Sequence, residues 1–205
     1  MNYLFVRINS IEHSDAIDYL NIHDKERSKF YTISNIKTTL DNLDKNLFNG
    51  FLKIMLFDAL VGEQDRHEEN WGIKKINGQY IISPLYDNGC SLLREFKDET
   101  FAEKYYEGKK DFDAYIKRSM TIIYKEDGKS RYKHFELIKY LNKYYHNVLI
   151  KEVEKLYRLK DKNIENIVNK IPNELLTKRH KAYIITYLKK RRDIIINIVK
   201  GDNNE

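Results

Sequence analysis

The densest apolar pattern in the chain lies at residues 46–61. Leucine, phenylalanine, isoleucine, methionine, alanine and valine fill most of its positions, so that almost no polar face is left. A helix that is apolar on nearly all sides is buried within its protein, and Gly62 directly after it is a typical helix end. The pattern therefore predicts a buried core helix, within which the carboxylate of Asp58 is expected to accept a bracing hydrogen bond.

A β-hairpin is predicted shortly after this helix. Two runs of β-forming residues, 71–76 and 79–83, are separated only by Asn77-Gly78. An Asn-Gly pair between such runs is the strongest short hairpin signal, because both central residues of the tight turn take a positive φ. If these two residues form the whole turn, the last residue of the first run faces the first residue of the second.

The helical part of the prediction continues after the hairpin. Amphipathic spacing predicts a long helix at 134–157, a short helix at 162–170, and a final helix that begins at an N-cap, Asn173, and runs to about Lys200. Leu175 is among the expected inward positions of the final helix. These elements make the fold class mainly α, with a smaller β content (α+β).

The remaining segments give weaker signals. Residues 3–8 are interpreted as a short strand, and residues 9–32 as a loop with one or two helical turns. Ser34 is a candidate N-cap for a short helix that ends at Leu43. The segment 119–133 has a β-prone run followed by Asp-Gly, which is typical of a second hairpin or of a loop.

Four polar residues beside the first hairpin are candidates for chemistry: Asp65, His67, Asn70 and Asp87. In the predicted register Asn70 lies opposite Leu85, two positions from Asp87. Directly opposed residues have Cα atoms roughly 5 Å apart, so an amide oxygen and a carboxylate could converge on one cation. Mg²⁺ takes a few such oxygen ligands and leaves its other positions to water and phosphates, and phosphoryl transfer also needs a carboxylate that accepts a hydroxyl proton.

The segments 65–70 (DRHEEN) and 84–89 (PLYDNG) together resemble the HipA-like serine/threonine kinases. The catalytic loop of that family has the pattern D-x-H-x-x-N, and its metal-binding aspartate lies in a P-x-Y-D segment. The first segment also resembles the D-R-H-x-x-N loop of lipid kinases, whereas the second favours the HipA-like group. Either motif alone would be weak, and the two with a hairpin between them are specific.

The resemblance implies a role for each candidate residue. Asp65 would be the catalytic base, and Asn70 and Asp87 would bind Mg²⁺ and, through it, ATP. His67 belongs to the same catalytic loop, where it is expected to brace the backbone by hydrogen bonds. The implied reaction is phosphoryl transfer from ATP to a serine or threonine hydroxyl of a protein substrate.

The resemblance also implies one C-terminal kinase lobe over residues 1–205. In this division, 1–45 would hold a hinge-like strand and a linker, 46–91 the core helix, catalytic loop and hairpin, and 92–200 a helical subdomain. The sequence has neither a G-x-G-x-x-G loop nor a Walker A motif, and about sixty residues precede the catalytic loop. We therefore expect the N-terminal small lobe to be absent, and a partner to supply it.

Composition indicates the class of protein and its cellular compartment. Its 205 residues are 41% hydrophobic and 33% charged, with a net charge of +6, which is typical of a globular chain. One cysteine, Cys90, excludes an intrachain disulfide framework and fits a reducing compartment. No apolar run approaches a membrane span, and no signal peptide is recognisable in the sequence. The expected location is the cytoplasm. The resemblance to the HipA-like group also implies an antitoxin as a candidate partner, since some members of that group act in toxin–antitoxin pairs.

Two other interpretations stay open. Aspartate and asparagine favour turns and caps, so each candidate residue taken alone could be purely structural. The final helix carries a run of lysines and arginines between Lys178 and Arg192, which could be a solvated face or could bind nucleic acid. The alternative function is therefore a non-catalytic helical module that binds nucleic acid or a partner protein.

Overall fold

A computed structural model of the chain describes residues 11–20, 27–94, 105 and 111–201. The strand predicted at 3–8 lies outside these residues, as does much of the charged segment before residue 111. Within the described ranges, the protein is mostly helical with two small antiparallel sheets. The mainly α fold class is therefore confirmed.

The bounds of the elements follow the chain. In order they are β1 (Ile11–Asp15), α1 (Ala16–Leu20), α2 (Arg27–Phe30), α3 (Ile33–Leu43), α4 (Leu47–Val61), β2 (Gly72–Ile76), β3 (Gln79–Ile82), α5 (Phe112–Arg118), β4 (Met120–Tyr124), β5 (Arg131–Lys133), α6 (His134–Arg158), α7 (Asp161–Asn169) and α8 (Lys178–Gly201). The strand order is β1-β2-β3 in one sheet and β4-β5 in the other. None of the helices that the structure describes combines the length and apolar character needed to cross a bilayer.

Helix α4 lies at the centre of the molecule, as its apolar sequence predicted. It packs against α3, α6, α8 and strand β3, and Phe51 and Leu52 are fully buried. Burying a side chain of this size contributes about 1.5–3 kcal/mol. The helix ends at Gly62, whose φ is 73° and whose N–H donates to the carbonyl of Asp58 at 2.7 Å. A rigid, buried helix thus leads directly into the polar segment that follows it.

The first hairpin has the predicted register. Asn77 and Gly78 form the turn with φ values of 52° and 82°, and Ile76 pairs with Gln79. Farther from the turn, Ile73 pairs with Ile82. The local Asn-Gly signal was sufficient here because the turn alone fixes which residues face each other.

The expectation of a loop at 9–32 is wrong in part. Residues 11–15 form β1, which pairs antiparallel with β2 along its whole length. The sequence IEHSD has no β-forming pattern, so the strand depends on its hydrogen bonds to β2 and not on its own propensity. Gly72 makes this pairing possible, because a Cβ at that position would lie 2.5 Å from the carbonyl oxygen of Ser14.

Two predicted helix caps are also wrong. Helix α3 is capped by Thr32, whose extended backbone lets its hydroxyl accept from the N–H of Asn35 at 3.4 Å, so Ser34 lies inside the helix. The final helix starts at Lys178, where the hydroxyl of Thr177 accepts from His180 at 3.1 Å. Asn173, the predicted cap, instead accepts a hydrogen bond from a lysine of that helix.

The bend before α8 also changes which leucine is buried. Backbone N–H groups of Leu175 and Leu176 both donate to the carbonyl of Pro172, so this segment is a turn and not the first turn of a helix. Leu175 is 78% exposed, which corrects the expectation that it points inward. Ile195, predicted from the same periodicity farther along the helix, is fully buried.

The second half of the chain contains a hairpin where a hairpin or a loop was predicted, and a bend within helix α6. Strands β4 and β5 pair antiparallel, so the segment at 119–133 is a hairpin. Helix α6 covers the predicted range but is interrupted at Tyr145, where φ and ψ are −135° and 30°. The ring of Tyr145 meets Phe48 of α4 edge-on, with 5.0 Å between ring centroids. The bend lies where α6 contacts the central helix.

Alanine substitutions at two glycines should separate crowding from backbone strain. Gly62→Ala is expected to destabilise the fold by about 2–4 kcal/mol, because a positive φ is unfavourable for alanine and overpacking adds its own cost. A Cβ there would lie 1.9 Å from the hydroxyl of Tyr187. Gly78→Ala is the matched control, since its φ is also positive but nothing lies within 4 Å; it should cost about 1–2 kcal/mol. Urea denaturation measures both, and equal losses would contradict the crowding at Gly62.

Candidate active site

The segment directly after α4 closes on itself through hydrogen bonds. The backbone N–H of His67 donates to the carbonyl of Asp65, and the N–H of Asn70 donates to the carbonyl of His67, both at 2.9 Å. The side-chain nitrogen of Asn70 also donates to the Asp65 carbonyl, at 2.7 Å. Because the nitrogen of this amide is engaged, its oxygen is the atom left to meet a cation.

Arg66 joins this loop to the segment after the hairpin. One nitrogen of its guanidinium, Nη1, donates both to the carbonyl of Asn70 at 2.8 Å and to the carbonyl of Tyr86 at 2.7 Å. The other terminal nitrogen, Nη2, donates to the side-chain oxygen of Asn88. Tyr86 and Asn88 are the two neighbours of Asp87 in sequence. A single buried guanidinium thus holds the loops that carry Asn70 and Asp87 side by side.

The charge of Arg66 is balanced within the core helix. The Asp58 carboxylate accepts from its Nη2 at 3.0 Å and from its Nε at 3.2 Å and 3.3 Å, which confirms the expected bracing role of Asp58. Both side chains are almost completely buried. Burial raises the pKa of Asp58 to about 7, and the hydrogen bonds from Arg66 oppose this rise. Neither group is well placed without the other, since a lone buried charge is costly.

A buried aromatic pair holds the loop from the opposite side. The hydroxyl of Tyr31 donates to the carbonyl of Arg66 at 2.7 Å and accepts from the indole N–H of Trp71 at 2.9 Å. Both rings are fully buried, and burial raises the pKa of Tyr31 well above its usual range. The Tyr31 hydroxyl therefore stays protonated and joins the segment before α3 to both ends of the loop.

Removing this hydroxyl should cost stability. Tyr31→Phe is expected to destabilise the fold by about 1–3 kcal/mol, because a buried N–H of Trp71 and the carbonyl of Arg66 lose their partner. Tyr132→Phe is the control, since Tyr132 is also buried but no hydrogen bond to its hydroxyl is present in the described part of the chain. Thermal and urea unfolding of the two variants measure the difference. Equal stability of the two would show that the Tyr31 bridge adds nothing.

Glu68 anchors the loop to the N-terminal helices. Its side chain is 1% exposed and accepts from Arg27 through both oxygens, at 2.8 to 3.1 Å. Its carbonyl accepts from the backbone N–H of Ile17 at 3.0 Å. The acidic residues of the DRHEEN segment therefore differ in their surroundings: Glu68 is buried in an ion pair, whereas Glu69 is exposed.

The two proposed reactive carboxylates are placed differently. Asp65 is half-buried, its backbone N–H donates to Glu63 at 2.9 Å, and the thiol of Cys90 lies 3.8 Å from its Oδ2. Asp87 is exposed, and no described residue forms a hydrogen bond or ion pair with its carboxylate. Its φ is 47°, a left-handed conformation that aspartate tolerates better than most residues.

These residues fit the ligand set expected for magnesium. Asn70 offers an amide oxygen, and Asp87 offers a carboxylate that has no competing partner among the described residues. Both are the hard oxygen donors that Mg²⁺ prefers. Within the described residues, no group of three or more histidine, cysteine, aspartate or glutamate side chains could hold a metal ion. The structure therefore contains two candidate ligands on neighbouring loops, and not a closed protein cage.

The other predicted residues also have defined places. The Nδ1 of His67 accepts from the N–H of Glu69 at 3.3 Å and lies 3.7 Å from the Glu69 carboxylate. The hydrogen bond from the Glu69 N–H stays within the loop, which fits a bracing residue. Cys90 is partly exposed.

Several residues that support the site were not recognised from the sequence. Arg66 was treated as a variable position within its motif, and Glu63 and His134 received no role. All three are buried. Arg66 lies inside the DRHEEN segment, whereas Glu63 follows and His134 precedes an apolar stretch. None of these positions indicates the partner of the side chain.

The basic run of the final helix is only partly a solvated face. Lys178 and Arg179 are exposed, whereas Lys181 is buried, and the basic residues nearer the end of the run are packed or paired. Arg191 is fully buried, and Arg192 and Lys189 contact Asp161 of α7 at 2.7 Å and 3.3 Å. Lys190 pairs with an aspartate of α5. Much of this charge is therefore already used inside the protein, and nothing in the described structure favours a nucleic-acid surface.

Comparison with known proteins places this fold among the protein kinases. No family model matches the chain. It is 24% identical over 151 residues to the serine/threonine-protein kinase CtkA of Helicobacter pylori, a match that covers 72% of this chain and 45% of that protein. The crystal structure of the H. pylori proinflammatory kinase CtkA matches with a TM-score of 0.77 at 20% identity, over 96% of this chain and 73% of that chain.

These similarities have a defined extent. The structural match shows that this chain has the fold of the CtkA kinase, and the sequence match supports homology to a serine/threonine kinase. The sequence match spans less than half of the length of that relative. The resemblance to the HipA-like group, and the roles of Asp65, His67, Asn70 and Asp87, stay predictions.

Proposed function

We propose that this chain is the catalytic lobe of a HipA-like kinase that transfers a phosphoryl group from ATP to a serine or threonine hydroxyl of a protein. The observation that carries the proposal is the contact of Arg66 with both loops, which brings the backbones at Asn70 and Asp87 together. The similarity to a serine/threonine kinase supports the same conclusion.

Each residue has one task in this proposal. The Asp65 carboxylate accepts the proton of the substrate hydroxyl while that oxygen forms a bond to the γ-phosphorus and the bond to the β–γ bridging oxygen breaks, which releases ADP. The oxygen of Asn70 and the carboxylate of Asp87 would hold Mg²⁺, which neutralises charge on the phosphates when bound. His67 keeps the loop in shape through its bonds to Glu69.

In this proposal, a partner supplies the nucleotide contacts that do not run through the metal. The sequence has no glycine-rich phosphate loop, and the contacts that we assign to the nucleotide run through the metal alone. We propose that a separate small lobe, or an antitoxin that binds next to it, completes the site in the cytoplasm. Calorimetry should then show weak binding of Mg²⁺-ATP to the isolated chain, and tight binding would contradict the need for such a partner.

The test of the proposed activity is direct. The chain is incubated with Mg²⁺-ATP and a mixture of acceptor proteins, alone and with an added kinase small lobe, and phosphorylated residues are identified by mass spectrometry. We expect phosphoserine or phosphothreonine that disappears when EDTA removes the metal. Binding of Mg²⁺-ATP without any phosphate on serine or threonine, in either condition, would contradict the proposal.

A further inference from the structure

A second set of polar contacts lies beneath the candidate catalytic loop, and the proposed mechanism does not use it. Nη1 of Arg191, on α8, donates to the hydroxyl of Ser119 at 2.7 Å. That hydroxyl lies 3.0 Å from Nδ1 of His134, the first residue of α6. Nε2 of His134 lies 2.7 Å from the carbonyl oxygen of Glu63. The contacts therefore connect the last helix to the start of the loop.

These groups are buried, so the loss of one of their hydrogen bonds would be costly. Arg191, His134 and Glu63 are each at most 1% exposed. Water cannot replace a hydrogen bond lost in such a place, so an unpaired group would carry its full desolvation cost. The atoms that link Arg191, Ser119, His134 and Glu63 are thus expected to be matched as donor and acceptor. Within the described residues, Nη2 of Arg191 and Oε2 of Glu63 lie outside this series of bonds and have no hydrogen-bond partner.

The chemistry of the two ends fixes the direction of every hydrogen bond. A guanidinium can only donate, and a carbonyl can only accept. Nε2 of His134 must therefore carry the proton that reaches Glu63 at 2.7 Å, because a bare nitrogen there would place two lone pairs in contact. Nδ1 is then an acceptor, and the hydroxyl of Ser119, which receives from Arg191, donates its own proton to it.

Two nearby carbonyls offer competing partners, and neither changes this assignment. The Ser119 hydroxyl could also donate to the carbonyl of Ile116 at 3.1 Å, but that carbonyl keeps a donor in Arg191 at 3.2 Å, whereas Nδ1 of His134 would be left with none. Nδ1 of His134 lies 3.2 Å from the carbonyl of Ser119. A proton on Nδ1 could bond that carbonyl, but it would leave the shorter contact with Glu63 without a hydrogen.

The imidazole is neutral over the physiological range. Burial, and next the positive charge of Arg191, lower the pKa of His134 to about 3. A neutral ring has one N–H and one bare nitrogen, so the order of donors and acceptors does not change between pH 5 and pH 8.

Glu63 passes the constraint on to the candidate base. The carbonyl of Glu63 accepts from His134, and its carboxylate accepts from the backbone N–H of Asp65 at 2.9 Å. Arg191 also donates through Nε to the carbonyl of Ala59 at 2.7 Å, in the last turn of α4. The chain is therefore held on both sides of Gly62, where the backbone turns from the helix into the loop.

We propose that Arg191, Ser119 and His134 form a one-directional hydrogen-bond relay that positions the catalytic loop, with His134 as the positioning residue for Asp65. The relay is a property of the fold, whereas its effect on catalysis rests on the proposed function. His134 touches no reacting atom in this account. It acts through Glu63, which sets where the backbone of Asp65 lies.

The first measurement is independent of activity. Nitrogen-15 NMR of the His134 ring in the wild-type chain should show the proton on Nε2, with no titration between pH 8 and pH 5. Hydrogen exchange of the Asp65 amide should be about 10- to 100-fold faster in His134→Leu, the range expected when one buried hydrogen bond is lost. His134→Gln should restore slow exchange, because its side-chain N–H₂ can still donate to Glu63.

The second measurement concerns catalysis. His134→Leu should lower kcat by about 10- to 100-fold with a change of less than about twofold in KM for ATP, and His134→Gln should recover most of kcat. Asn142→Leu is the control, because Asn142 is a buried polar residue of the same helix that bonds Ile198 and His146. That variant should leave both the Asp65 amide and kcat unchanged.

These measurements test the relay and the proposed function separately. A proton on Nδ1, titration near pH 6.5, or equal exchange in the Leu and Gln variants would overturn the relay whether or not the chain is a kinase. The position of the His134 proton is measured in the wild-type chain, so the relay can be tested even if His134→Leu does not fold. Exchange of the Asp65 amide could depend on His134 as expected in a chain that transfers no phosphate. That result would support the positioning role and contradict the proposed function.

Discussion

Asp65→Asn is expected to lower phosphoryl transfer by about 10²- to 10⁴-fold, the usual range for the loss of a general base. An amide has the shape of the carboxylate but cannot take up the hydroxyl proton. The fold should be unaffected, because the bond between this residue and Glu63 uses its backbone N–H. The rate of phosphate transfer to serine and threonine, measured on the most active form of the enzyme, tests this expectation.

Two further substitutions show whether the loss is specific. Asp127→Asn makes the same chemical change in the exposed turn between β4 and β5, where the side chain accepts from Lys129, and should leave the rate unchanged. Asp87→Asn should instead weaken the binding of Mg²⁺-ATP, because it removes a ligand and not a base. Transfer by Asp65→Asn at the wild-type rate would remove its assigned role.

Arg66→Met should be the most destabilising single substitution at the site, at about 3–5 kcal/mol. Removal of one partner of a buried ion pair leaves the other charge uncompensated, here the carboxylate of Asp58. The carbonyls of Asn70 and Tyr86 would also lose their donor. Urea unfolding followed by circular dichroism gives the free energy of unfolding directly.

The double variant Asp58→Asn/Arg66→Met separates charge from hydrogen bonding. It should be more stable than Arg66→Met alone, because it no longer buries an unpaired carboxylate. With the single variant Asp58→Asn measured as well, the double-mutant cycle gives the coupling between the two residues. Arg131→Met, at an exposed position of strand β5, is the control and should change stability by less than about 0.5 kcal/mol. Similar midpoints for Arg66→Met and Arg131→Met would show that the ion pair does not stabilise the fold.

The elements predicted correctly from the sequence are those specified by adjacent residues. The core helix follows from an apolar run that ends at Gly62, and the hairpin register follows from Asn77-Gly78. That register directs the segments with Asn70 and Asp87 towards each other, but the hydrogen bonds that join these segments come from Arg66, which the sequence did not indicate.

The features that were missed depend on partners far away in sequence. Strand β1 exists because β2 lies beside it, and its own residues show no strand pattern. Arg191 belongs to a basic run that is typical of a surface, yet hydrogen bonds to the carbonyls of Ala59 and Ile116 hold it inside. The N-cap of α8 was placed at Asn173 because a turn after Pro172 was not recognised. Sequence periodicity contains no information about these pairings.

The dependence of the loop on Arg191 has a consequence for synthesis. The loop after Gly62 leaves the ribosome more than a hundred residues before α8, so the nascent chain must carry it for some time without the contacts that fix its position. The site can reach its final geometry only when the last helix has folded back over α4. In newly made protein, the loop is therefore expected to reach its final geometry late, in one step, and not gradually as the chain lengthens.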